Sequence, residues 1–210
     1  MKYSKLFITG CDYRTEWQLP FFVENFKKHN PDADLMIFDF GMRGSHYPHM
    51  RKSLRGHENG WFKKPKAMCV ASRMSRMTCW LDTDCEVREN LDGIWDHIEP
   101  NKLSMAQDMP WTNRRGETWH NSGVVAFQFK PNILDEWAVA VQNDPYQGDQ
   151  EVLHLLLRDP LRRSIHINDL PREYNTLRID LKDGTAPDNI KIMHWTGPVG
   201  NEQIKEKMND

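Results

Sequence analysis

Asp82-Thr83-Asp84 closes the apolar run Cys79-Trp80-Leu81. Carboxylates two residues apart at a strand's end project the same way and can share one divalent cation. A hard cation held by so few protein oxygens keeps positions for phosphate oxygens of a substrate. The triplet therefore points to nucleotide or sugar-nucleotide chemistry. Its competing reading is a turn that caps the next helix, common where a chain carries 30 acidic residues.

The elements that must position this triplet read as an alternation of strands and helices. Leu6 to Thr9 is β-rich and stops at Gly10. Residues 16 to 29 then place Trp17, Phe21, Phe22 and Phe26 at helical spacing, and Asp34 to Asp39 reads as a parallel strand. Residues 41 to 60 lack periodicity and read as a loop, with a helix expected over 67–77 after Lys63-Lys64-Pro65-Lys66. A buried strand over 78–81 delivers Asp82 and Asp84 at its carboxyl end, where open α/β sheets bind ligands. Further on, a turn is expected near 91–95, a strand over 103–107 ending at Asp108, and a polar loop over 109–120. Strand 124–129, helices 133–143 and 151–158, and strands 165–167 and 190–195 follow, with a helical tail after Asn201. The expectation is one α/β domain over 1–210 with a Rossmann-like, mostly parallel sheet flanked by helices.

Bulk composition narrows the partners. Lys plus Arg number 28 against 30 Asp plus Glu, a formal charge of −2 that does not resemble a nucleic-acid footprint. Cys11, Cys69, Cys79 and Cys85 show no Cys-x-x-Cys spacing and read as reduced, buried thiols, so a cytoplasmic protein is expected. No stretch approaches a signal peptide or a membrane span. Eight tryptophans and nine histidines suit either ring stacking with carbohydrate or nucleotide, or an aromatic-rich core.

Five segments, in order, resemble the glycogenin-like glycosyltransferases, family 8 of the GT-A fold. They are Lys66, Leu81-Asp82-Thr83-Asp84, Asn121-Ser122-Gly123-Val124, Gly148-Asp149-Gln150 and His194-Trp195-Thr196-Gly197. Asn90-Leu91-Asp92 and Leu170-Pro171 with Tyr174-Asn175 also fall in family order, so the resemblance spans nearly the whole chain.

The resemblance implies a retaining, metal-dependent transfer from a nucleotide sugar, UDP-linked, to a hydroxyl acceptor. It implies a nucleotide-binding half over roughly 1–86 and a sugar and acceptor half over roughly 87–210. Asp82, Asp84 and His194 match the metal ligands, which as carboxylates plus one imidazole suit Mn²⁺, with Mg²⁺ as the alternative. Lys66 would assist on the donor side. Thr9, Asp12 and Tyr13 match the loop that holds the nucleoside, Tyr13 for stacking and Asp12 for a hydrogen bond. Asp108, Asn121, Asp149 and Gln150 match residues around the donor sugar, and Gly197 closes the His-x-x-Gly motif. Asp149 also reads as a helix N-cap.

Retention leaves two routes open, a double displacement through Asp149 or Gln150, or a same-face route in which the leaving phosphate deprotonates the acceptor. The second is favoured, because a neutral amide is a weak nucleophile. One departure stands out: the family often places a lysine where this chain has Gly200. Backbone amides of the turn, Lys205, or an arginine from the loop with Arg43, Arg51 and Arg55 and His46, His49 and His57 would have to substitute. Two other classes compete: a nonenzymatic sugar-nucleotide or glycan-binding domain on this fold, and a sugar-phosphate nucleotidyltransferase, which also uses paired carboxylates.

Overall fold

The computed structural model describes residues 1–44, 46–54, 60–144 and 147–209. The chain runs β1 (Tyr3–Cys11), α1 (Leu19–His29), β2 (Leu35–Asp39), β3 (Arg51–Ser53), α2 (Gly60–Ala71), β4 (Ser75–Leu81) and β5 (Cys85–Val87). It continues with β6 (Leu103–Met105), α3 (Met109–Arg115), β7 (Val124–Gln128), α4 (Ile133–Asn143), α5 (Asp149–Leu156), α6 (Pro160–His166) and β8 (Ile167–Asp169). Last come β9 (Thr176–Leu177), α7 (Arg178–Asp183), β10 (Ile192–His194) and α8 (Gly197–Asn209).

Seven strands form a central sheet in the order β3-β2-β1-β4-β7-β6-β8. Only β7 runs antiparallel to its neighbours, so the sheet is mostly parallel, as expected. Its central strands are covered on both faces, which is why they read as continuous apolar runs. Ile8, Trp80, Val125 and Phe127 pack with α2, α4 and α5 around Trp137, while Phe7, Cys79 and Ala126 pack with Phe22 and Phe26 of α1. A second, three-stranded sheet of order β5-β10-β9 stands beside the first. Among the described residues no helix is long and apolar enough to cross a membrane.

Several boundaries differ from expectation for identifiable reasons. α2 starts at Gly60, seven residues before the expected start, and carries Pro65 inside it. Proline is tolerated there at the cost of one helical hydrogen bond, to the Trp61 carbonyl. The loop expected over 109–120 contains α3, which Asp108 opens by accepting from Trp111 N at 3.1 Å, with Pro110 in the first turn. Ile165 and His166 end α6 and are not strand. The loop over 41–60 holds β3 on the sheet edge, and its Arg55 and His57 lie outside the described residues.

Candidate active site

β4 ends at Leu81, so the Asp82-Thr83-Asp84 triplet lies in the tight turn between β4 and β5 and not on the strand itself. Cys85 N donates to Asp82 O at 3.1 Å to close that turn, and Asp82 N donates to Gly123 O at 2.8 Å. β5 then pairs antiparallel with β10, setting Cys85 opposite His194. The second sheet thereby carries His194 to the carboxylates: Nε2 lies 3.1 Å from Asp84 Oδ1 and 3.9 Å from Asp82 Oδ2.

The tautomer of His194 follows from its neighbours. Asn175 Nδ2 donates to Asn121 Oδ1 at 2.9 Å, which leaves Asn175 Oδ1 as the acceptor for His194 Nδ1 at 3.0 Å. Assigned from this network, Nδ1 carries the hydrogen and Nε2 is turned toward Asp82 and Asp84. Two carboxylates and one imidazole nitrogen, oriented from behind, fit a divalent cation that also accepts phosphate oxygens. Cys85 Sγ lies near the Asp84 and His194 ligand atoms, all within 4.8 Å of one another. Burial, reinforced by Asp84 and Asp82, pushes that thiol's pKa well above its ordinary value, so it stays protonated and is a poor ligand.

Lys64 supplies the positive charge of the site. Its Nζ lies 3.0 Å from Asp82 Oδ1 and 2.9 Å from Asp149 Oδ2, and donates to Ser122 O at 3.2 Å. Burial alone would lower its pKa, but Asp149 and Asp82 outweigh it and raise the value, which keeps the ammonium charged. Asp82 moves up, because burial and the nearby Asp84 and Asp149 outweigh Lys64 and His194. His194 also moves up, its burial being outweighed by Asp84 and Asp82. A cluster of acids this dense is balanced by Lys64 and His194 in the isolated chain.

Two recesses meet at Lys64, Asp82 and Asp149. One, of about 400 Å³, runs past Phe40 and Trp80 to Asp12 and Trp61. The other, of about 270 Å³, is lined by Asp108, Asn121, Gln150, Trp111 and Ile179. Gln150 ties its polar floor together: Oε1 accepts from Asn121 Nδ2 at 2.9 Å and from Ser122 N at 3.2 Å, while Nε2 donates to Asp108 Oδ2 at 3.1 Å. Asp149 is the first residue of α5, with Gly148 as the cap, so its carboxylate is not a helix cap. It accepts from Ser122 Oγ at 2.8 Å and pairs with Lys64.

Comparison with protein-family models and with curated protein sequences gives no match. Solved structures do match. The galactosyltransferase LgtC, in complex with donor and acceptor sugar analogs, aligns with a TM-score of 0.66 at 14% identity, over 96% of this chain and 94% of LgtC. The glycosyltransferase GlyE of Streptococcus pneumoniae TIGR4 aligns with a TM-score of 0.66 at 16% identity, over 93% of this chain and 55% of GlyE. Mouse xyloside xylosyltransferase 1 aligns with a TM-score of 0.57 at 12% identity, over 92% of this chain and 97% of that one. This is the GT-A glycosyltransferase fold.

On that GT-A frame most of the expected site residues converge and three do not. Asp82, Asp84, His194, Asp108, Asn121, Asp149 and Gln150 line the joined recesses, with Asp12 and Gly197 at the 400 Å³ end. Lys66 is exposed on α2, turned away from the carboxylates that Lys64 meets two residues earlier. Thr9 is fully buried on the α1 side of β1, and its hydroxyl has no hydrogen-bond partner. Tyr13 is exposed and is not among the residues lining the cleft.

Of the candidates to replace the missing lysine, Arg51 is committed elsewhere, to Asp39 at 2.7 Å and to Gly44 O at 2.7 Å. Lys205 pairs with Glu202 at 2.8 Å. Lys64, Ser122 and Trp61 also line the recesses and Asn175 meets His194, although none is among the expected site residues. Lys64 stands in the same Lys-Lys-Pro-Lys cluster as Lys66, and Asn175 in the Tyr174-Asn175 pair that falls in family order, but burial and direction are tertiary facts.

Proposed function

We propose that this chain is a metal-dependent glycosyltransferase of the glycogenin-like family 8 type. It moves a sugar from a UDP-linked donor to a hydroxyl acceptor with retention of configuration. The observation that carries this reading is the convergence of Asp82, Asp84 and His194 from two sheets at the junction of two recesses. Mn²⁺ is the cation that best suits this donor set, held by Asp82, Asp84 and His194. When bound it supplies Lewis-acid stabilisation of the diphosphate's charge as the bond to the sugar breaks.

The chain's own residues then divide the work. Lys64 adds a buried positive charge beside the diphosphate, where low dielectric strengthens it. Asp108, Asn121 and Gln150 present a fixed array of acceptors and donors to sugar hydroxyls. Asp149 Oδ2 is already held by Lys64 and Ser122, and Gln150 Oε1 already accepts from Asn121 and Ser122. A neutral amide with its oxygen engaged is a weak nucleophile, which favours the same-face route, in which the protein orients the acceptor and the leaving phosphate takes its proton. Four free, buried cysteines suit a reducing compartment such as the cytoplasm.

A second reading, a sugar-nucleotide-binding domain without turnover, draws on Gly200, where the family's lysine is missing. UDP-glucose, UDP-galactose, UDP-N-acetylglucosamine and GDP-mannose with Mn²⁺ separate the two: release of free nucleotide supports transfer, and tight binding without release supports the second. If none binds or turns over, and Asp82→Ala leaves Mn²⁺ affinity unchanged, the transferase reading is wrong.

A further inference from the structure

We propose that Trp61, and not Tyr13, is the platform on which the donor's nucleobase stacks. This rests on the nucleotide-donor reading above and assigns the base end of that site. The 400 Å³ recess has a charged end at Asp82, Asp84 and Lys64, where Trp80 Nε1 donates to Asp82 Oδ1 at 2.7 Å, and is lined beyond it by the rings of Phe40 and Trp61. A nucleoside diphosphate has the same polarity, with anionic oxygens at one end and a planar base at the other. The question is which ring faces the base.

Tyr13 is poorly placed for it. The ring does not line the recess, and the Arg43 guanidinium lies 4.4 Å from its centroid. Arg14 lies 5.5 Å from the same centroid and donates Nε to the phenolic oxygen at 3.1 Å. A base stacking on Tyr13 would have to displace these cation–π contacts to gain a π-stacking contact.

Trp61 differs in where its ring lies. It lines the recess and is 47% exposed, so its ring is accessible from the recess. Phe62 meets it edge-on with centroids 5.8 Å apart, which supports the ring without hiding it. Gly60 anchors its backbone beside Asp12: a Cβ at Gly60 would stand 3.2 Å from Asp12 Oδ2. Indole and carboxylate therefore flank one mouth of the recess. The inner wall is flat as well, since Phe40 and Trp80 stack at 10° with centroids 6.3 Å apart. Gly10 permits that, because a Cβ there would lie 2.7 Å from the Phe40 ring.

Stacking on an indole is tolerant of base identity, so Trp61 sets affinity for a base without choosing which one. The test is calorimetric binding of UDP and of inorganic pyrophosphate, each with Mn²⁺, to the wild type, Trp61→Ala, Trp61→Phe and Tyr13→Ala. Trp61→Ala is expected to weaken UDP by about tenfold and leave pyrophosphate unchanged, with Trp61→Phe restoring most of the loss. Tyr13→Ala is expected to stay within about twofold of the wild type. A loss at Tyr13 with Trp61→Ala unaffected, or equal losses of UDP and pyrophosphate in Trp61→Ala, overturns the assignment and leaves the donor reading standing. A wild type that binds neither UDP nor, in a parallel titration with Mn²⁺, GDP overturns both.

Discussion

The imidazole of His194 meets the carboxylate of Asp84 across the seam between the two sheets, Nε2 to Oδ1 at 3.1 Å. Register makes the contact. β5 begins one residue after Asp84, and its pairing with β10 places Cys85 opposite His194. A slip of one residue would turn His194 to the other face.

Asn175 holds the far nitrogen of that ring at 3.0 Å and touches neither Asp82 nor Asp84. Such outer partners fix the tautomer and the ring's direction. Asn175→Ala should therefore weaken Mn²⁺ binding by about 10- to 100-fold, measured by titration calorimetry. Asp84→Asn should remove measurable binding. An Asn175→Ala variant with wild-type affinity would show that the ring is oriented by packing alone.

Lys64 and Lys66 should separate cleanly. Removing Lys64 leaves Asp82 and Asp149 facing each other in a buried site without their cation, so Lys64→Met should cost about 3–5 kcal/mol in urea unfolding. Lys66→Ala, at an exposed helix position, should change stability by less than about 0.5 kcal/mol. Added Mn²⁺ should recover part of the Lys64→Met loss, since it also neutralises Asp82. A large effect from Lys66→Ala would reverse the assignment.

These pairs show what was legible in the chain. Asp82, Asp84, Asn121, Asp149, Gln150 and His194, picked out by local motifs, do come together at the joined recesses, and the order of the longer elements follows from hydrophobic periodicity. Lys64 was not separable from Lys66 because both are lysines beside Pro65, and only the packing of α2 against β1 and β4 decides which is buried. α3 was hidden by its polar sequence, although Asp108 and Pro110 are start signals that could have revealed it. β5 and β9, two or three residues long, are too short for any periodicity, yet the small sheet they form with β10 positions His194.

His154 predicts a pH dependence of stability. Its ring stacks on Trp119 with centroids 3.6 Å apart, near Glu117 at 3.3 Å, with Arg158 and Arg163 also close. Burial lowers its pKa below the ordinary 6.5, and the opposing pull of Glu117 does not compensate. The unfolded chain then binds the proton more readily than the folded one. The stability contribution is fully present above about pH 6.5 and is lost as pH falls through the window below it. His154→Phe keeps a ring on Trp119 and carries no proton. The difference in unfolding free energy between the two proteins, measured from about pH 5 to 8, should slope below 6.5 and be flat above it. A slope only above 6.5 would contradict the burial argument.

A lysine cannot simply be placed at Gly200. It is buried near the start of α8, and a Cβ there would stand 2.0 Å from the Trp195 carbonyl oxygen, a backbone atom that has no room to yield. Gly200→Lys should therefore destabilise the protein by at least about 1–3 kcal/mol, read from thermal unfolding, and gain no donor affinity. The adjacent Asn201 lines the recess that leads to Asp82, held by Gln18 at 2.8 Å. Asn201→Lys puts a positive charge into that recess without approaching Trp195. Its affinity for UDP with Mn²⁺ should rise severalfold, and the gain should shrink in high salt as screening requires. A gain that persists unchanged at about 1 M salt, where charges are screened within about 3 Å, would mean that packing and not charge is responsible.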